Sequence, residues 1–112
     1  MVAFEISVNG QRLYTIGAGD FGLIAADLMW HRIQTQAGPI HEMVRICGRG
    51  LEGTEGNCLN WPAATLKVGD EVTIRITQSA TCDEPSERIT REALRAKAQE
   101  LSLPMEPPPA SQ

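Results

Sequence analysis

The side chains of this chain able to do chemistry are few: two histidines, His31 and His41, three cysteines, Cys47, Cys58 and Cys82, and the nearby carboxylates Asp20, Asp27 and Glu42. Imidazole and carboxylate groups are the usual material of acid-base and metal sites. Their spacing offers little of either. His41 and Glu42 are adjacent, so on a strand they point to opposite faces and cannot serve one site together. His31 and His41 can meet only if their segments pair across the turn at Gly38-Pro39. The cysteines lie 11 and 24 positions apart, which fits neither a CxxC metal knuckle nor a secreted disulfide framework, and an odd number leaves at least one thiol free within a monomer. HExxH, nucleophile-elbow and Walker patterns are all missing from the sequence. The catalytic candidates are therefore His31, His41, Asp20 and Glu42, and no cofactor or metal is expected.

Binding draws on other residues. Trp30 and Trp61 are two of only five aromatic side chains, and filling the core of a small sheet is the ordinary role of both. Exposed beside Tyr14 and Arg32, they would instead form a recognition patch, because aromatic residues and Arg dominate binding hot spots. Tyr14, Trp30, Arg32 and Trp61 are thus the binding-surface candidates. Several of Arg12, Arg32, Arg45, Arg49 and Arg75 fall on strand faces turned from the core, where they could form a surface for an anion or an acidic partner, although an ordinary solvated sheet surface is the better account.

The elements that must position these residues read mainly as strands. Residues 2–8 alternate, with Val2, Phe4, Ile6 and Val8 on one face, and Asn9-Gly10 is the preferred pair for a type I′ turn. The return strand over 11–16 then sets Ile6 opposite Leu13, with Arg12 and Tyr14 on the second face. Glycines at 17, 19 and 22 match the GxGxxG spacing of a dinucleotide loop, but they follow a hairpin instead of a lone first strand, so a turn is the better account. For 23–34 helix propensity competes with alternation. The alternation is cleaner, placing Ile24, Ala26, Leu28 and Trp30 on one face and Ala25, Asp27, Met29 and His31 on the other, and a strand over 26–33 is preferred. Residues 40–47 alternate again. The glycine-rich stretch 48–60 reads as a long surface loop or a pair of tight turns around Leu51, a common setting for function. Residues 72–77 form the strongest strand, with Val72, Ile74 and Ile76 inward.

The C-terminal third changes character, since all ten glycines lie before position 70. Residues 86–101 are rich in helix formers, with Glu84 and Arg88, and Glu87 and Arg91, at favourable i,i+4 spacing. Asp83 is the expected cap and Pro85 an early helical residue. The apolar face of this helix is thin. Four prolines between 104 and 109 predict an extended or disordered tail.

A net charge of -4, with only two lysines among ten basic residues, argues against nucleic acid as a partner. The longest strongly apolar stretch, 21–30, contains Asp27 and falls short of the roughly 20 residues a bilayer span needs. The first ten residues alternate where a signal peptide would run apolar, so the expected compartment is the cytoplasm. The architecture expected is mainly β: a small antiparallel sandwich or open barrel of five or six strands with one C-terminal helix, a single domain over 1–101 and a flexible tail over 102–112. Such a small core favours a partner to cover an exposed strand edge and the thin helix. The function expected is a non-enzymatic binding or accessory protein acting through a protein surface, as a homodimer or with another protein. The alternative is a small enzyme or ligand-binding domain with a pocket near 48–60 and His31/His41.

Overall fold

Asn9 and Gly10 both adopt positive φ, 53° and 83°, and close the hairpin between β1 (Val2–Val8) and β2 (Gln11–Gly17). The pairing begins as the turn dictates, with Val8 opposite Gln11 and Ser7 opposite Arg12. A bulge between Ile6 and Ser7 then shifts the register, so Ile6 faces Tyr14 and not Leu13. One extra residue on one strand reverses which side chains point inward beyond it. Tyr14 and Ile16 accordingly enter the core, and Leu13 is left 37% exposed. Placing Leu13 on the core face and Tyr14 on the other is thereby corrected.

The computed structural model describes residues 1–100. Over that span the chain forms two mostly antiparallel sheets packed as a sandwich, not closed into a barrel, with one C-terminal helix. The smaller sheet has the order β2-β1-β7, with β7 spanning Val72–Gln78. The larger has the order β3-β4-β5-β8: β3 is Gly22–Gln34, β4 Ile40–Glu52, β5 Asn57–Asn60 and β8 Glu87–Ile89. A short strand, β6 (Ala64–Leu66), pairs with β4 beside Val44, Arg45 and Ile46. The core between the sheets is built from Ile6, Tyr14, Ile16, Ile46, Leu59 and Trp61. The Tyr14 hydroxyl donates to the Pro62 carbonyl at 2.8 Å and Trp61 Nε1 to the Asp83 carbonyl at 2.9 Å, so both large side chains enter the core with their polar ends satisfied.

The strand preferred over 26–33 is present and runs further at both ends, as β3 from Gly22 to Gln34. The glycine-rich stretch 48–60 is not a long loop. β4 runs on through Gly48 and Gly50 to Glu52, turns through a short 3-10 helix (Gly53–Glu55) and returns as β5. Its glycines serve close packing: a Cβ on Gly48 would lie 2.8 Å from Ile16 Cγ2. Residues 87–89 are strand instead of helix, and α1 (Arg91–Glu100) begins after Thr90, whose Oγ1 accepts from the Ala93 N–H at 3.0 Å. Asp83 is not a helix cap. Its Oδ2 accepts from the Thr15 N–H (2.8 Å) and from Arg12 Nη1 (3.0 Å), tying the 79–85 segment over β2. β7 is an edge strand, and of its three aliphatic residues only Val72 packs on the core, while Ile76 is 74% exposed. The proline-rich tail and Leu101 lie outside the described residues.

Candidate functional site

β3 and β4 have 13 residues each and β1 and β2 only 7. At about 3.3 Å per residue the β3–β4 ladder runs about 43 Å against about 23 Å for the hairpin packed on it, so its far end outruns the smaller sheet. Ile24 and Ala26, near the start of β3, pack against the core. Leu28 and Trp30 continue the same face and are each 61% exposed. At the tip, Ile40 on the same face is 50% exposed and Ile33 on the outer face 54%. This uncovered end is the overhang.

The edge of the overhang is also open. Among the described residues β3 pairs with β4 alone. Its register is continuous from Gly22 opposite Glu52 to Gln34 opposite Ile40, and it contains neither proline nor bulge. Edge strands of native proteins are normally blunted by such features, because their free N–H and C=O groups template pairing with another chain. β7 is a second edge, but it has 7 residues and alternates its aliphatics with Thr73, Arg75 and Thr77.

The structure sorts the sequence candidates sharply. Tyr14 and Trp61 are core residues, 6% and 3% exposed, so of the four binding-surface candidates only Trp30 and Arg32 stand at the surface. Trp30 Nε1 donates to Glu42 Oε2 at 2.9 Å, and Arg32 lies directly opposite Glu42 in the register. Glu42 thus braces the exposed indole. His31 pairs with Met43 and His41 with Ile33, which sets the two imidazoles diagonally on the outer face of the overhang, where Asp27, Arg45 and Arg49 also lie. Asp27 Oδ2 is bound by Arg49 Nε at 2.7 Å. Among the described residues the buried Arg45 Nε has no hydrogen-bond partner. Asp20 precedes β3, and Gly22 and His31 are nine residues apart on that strand, about 30 Å at strand rise, so Asp20 and the histidines do not converge. Among the described residues no three His, Cys, Asp or Glu side chains are grouped to hold a metal ion.

The three cysteines are free and partly exposed. Burial, then the neighbouring Glu84 and Asp83, raise the Cys82 thiol above its ordinary pKa, which disfavours the thiolate. A groove of about 470 Å³ lies on the outer face of the larger sheet between Leu23, Leu51, Cys58, Ile89 and Leu94. Its polar lining is engaged, Arg49 with Asp27 and the Asn60 amide with Glu87 Oε1 at 2.9 Å. The groove and the histidines occupy different stretches of the β3–β4 ladder, so the pocket and histidine site expected together from sequence are two places. No signal in the sequence marked Leu28 or Ile40 as surface residues, because alternation alone does not say where the covering sheet stops.

No helix among the described residues is long and apolar enough to cross a membrane. No protein-family model matches the chain, and no curated protein or solved structure matches it either.

Proposed function

We propose that this protein is a non-enzymatic binding or accessory module that takes hold of another protein chain through the β3 edge and the inner face of the overhang. The observation that supports this is the coincidence, on one strand, of an edge free of proline and bulge with Leu28 and Trp30 exposed on its inner face. Apolar patches of this kind, rimmed by Arg32 and Glu42, mark interaction sites in soluble proteins. Strand addition would supply backbone hydrogen bonds, while Trp30 would supply the aromatic anchor. The partner is a protein, a second copy included. Three unpaired thiols accord with a cytoplasmic location, where cysteines stay reduced.

The test is light-induced crosslinking in the cells that make the protein, with a photoreactive phenylalanine analogue at position 30 or, as a control, at the 98% exposed Val68. Position 30 is expected to give discrete protein adducts and position 68 none. Equal labelling from both, or none from position 30, would overturn the proposal. A ligand-binding reading is favoured by one observation, the groove beside Leu51 and Cys58. Filling it by Cys58→Trp should abolish uptake of an apolar fluorescent probe if the groove binds ligands and leave it unchanged if it does not.

A further inference from the structure

We propose that the occupant of the β3 edge is β3 of a second copy of this chain, paired antiparallel about a two-fold axis through Met29. The inference rests on the overhang being a protein-binding surface and names what covers it.

Charge complementarity selects the partner and the register. In a two-fold antiparallel pair, one residue lies opposite itself and every other residue lies opposite its mirror position, on the same face. Asp27 and His31 stand two residues either side of Met29 on the outer face. Centring on Met29 therefore sets Asp27 opposite the partner's His31 and His31 opposite the partner's Asp27. Centring on Leu28 would instead oppose Asp27 to Met29, and centring on Trp30 would oppose it to Ile33, leaving a carboxylate against an apolar side chain. The Asp27 side chain is 38% exposed and its ion pair with Arg49 uses Oδ2, so Oδ1 remains able to accept from an imidazole N–H. Arg45, opposite Met29 and diagonal to both residues, adds positive charge behind Asp27.

Size agrees with charge. The same register sets Leu28 opposite Trp30, so each indole lies beside an aliphatic side chain of the other copy. It also sets Ala26 opposite Arg32 and Ala25 opposite Ile33, a small residue against a large one at each position. The paired span, 25–33, avoids the start of β3, where Gly22, Leu23 and Ile24 lie beside Met1 and Val2 of the smaller sheet. Joining the two copies would make one continuous sheet and remove both open edges.

The test mixes two single variants in sedimentation velocity. Asp27→Arg alone sets two pairs of basic side chains opposite one another, and His31→Glu alone sets two pairs of acids. Each is expected to dissociate about tenfold more readily than the wild-type dimer, two cross-strand pairs having changed from attraction to repulsion. Mixed in equal amounts they are expected to recover a heterodimer. The introduced arginine then faces the introduced glutamate, while the unchanged His31 of one chain faces the unchanged Asp27 of the other. Single variants as tightly associated as wild type, or a mixture no more associated than its components, would overturn the inference. A second variant keeps the test sound if either fails to fold. Met29→Cys, treated with oxidised glutathione, should form a covalent dimer through position 29, whereas Leu23→Cys, outside the paired span, should not; equal yields would count against the register. A monomeric wild type that still crosslinks a different protein from position 30 would sink the second copy while leaving the binding reading in place. A monomer giving no adduct would remove both.

Discussion

Leu28 and Ile46 face each other across the β3–β4 ladder on the same side of the same sheet, yet Ile46 is wholly buried and Leu28 is 61% exposed. Ile46 lies beneath the smaller sheet, in a core with Ile6, Ile16 and Leu59. Leu28 is one strand further out, where that cover is running out, and Trp30 beyond it is as exposed. One pair of strands thus does two jobs. Its covered part holds the fold together by removing apolar area from water, and its uncovered part leaves similar side chains exposed among the described residues.

The sharpest way to break this comparison is to truncate both members of the pair. Ile46→Ala is expected to cost about 2–5 kcal/mol of folding stability, the range for an emptied core site. Leu28→Ala should cost less than about 1 kcal/mol in dilute protein, as for a surface position. Urea denaturation of the two variants measures both, and equal losses would erase the distinction between the two parts. Next in size, Gly48→Ala should cost about 1–3 kcal/mol through overpacking, because the added methyl meets Ile16 at 2.8 Å between the sheets. A neutral result by thermal unfolding would show the sheets to be less tightly pressed there.

Tyr14→Phe should cost about 1 kcal/mol, since it strands the Pro62 carbonyl that the hydroxyl now satisfies. The same denaturation series would show whether this polar contact at the edge of the core matters. The smallest effect lies in the turn that leads from β6 into β7, which Asn9 of the β1–β2 turn braces. Asp70 accepts from Asn9 Nδ2 at 2.9 Å and from the Lys67 N–H at 2.8 Å, and these bonds hold its pKa below the ordinary carboxylate value. A carboxyl lowered in the folded state contributes stability above its unfolded pKa and loses that contribution as pH falls through the folded one. Asp70→Asn should therefore flatten the acid side of the stability profile slightly, and a steeper acid loss in the variant would reverse the assignment.

The alternation in 23–34 and 40–47 made both strands of the large hairpin legible in the sequence, and it set Asp27, Met29 and His31 on one face. Asn9-Gly10 likewise announced its turn. What alternation could not carry was register beyond the bulge at Ile6/Ser7, which turned Tyr14 from the surface to the core. The glycines of 48–60 misled for a related reason. In a strand they read as turn signals, but Gly48 is there because Ile16 of the opposite sheet presses against it, a contact between residues distant in sequence. The helix was placed too early because Glu87, Arg88 and Ile89 have a tertiary partner in β5 that outweighs local propensity. Of the candidate surface, Trp30 and Arg32 were legible by residue type. The exposure of Leu28 and Ile40 depends on how far β1 and β2 reach, a property of two sheets together.

Hydrogen exchange along β3 tests most directly whether the overhang is an interface. At high protein concentration the backbone amides within 25–33 are expected to exchange more slowly than at low concentration, while those of β1, already paired on both sides by β2 and β7, should be unchanged. Exchange within 25–33 that is the same at both concentrations, in a protein that sediments as a monomer throughout, would contradict the pairing of this edge with a second copy.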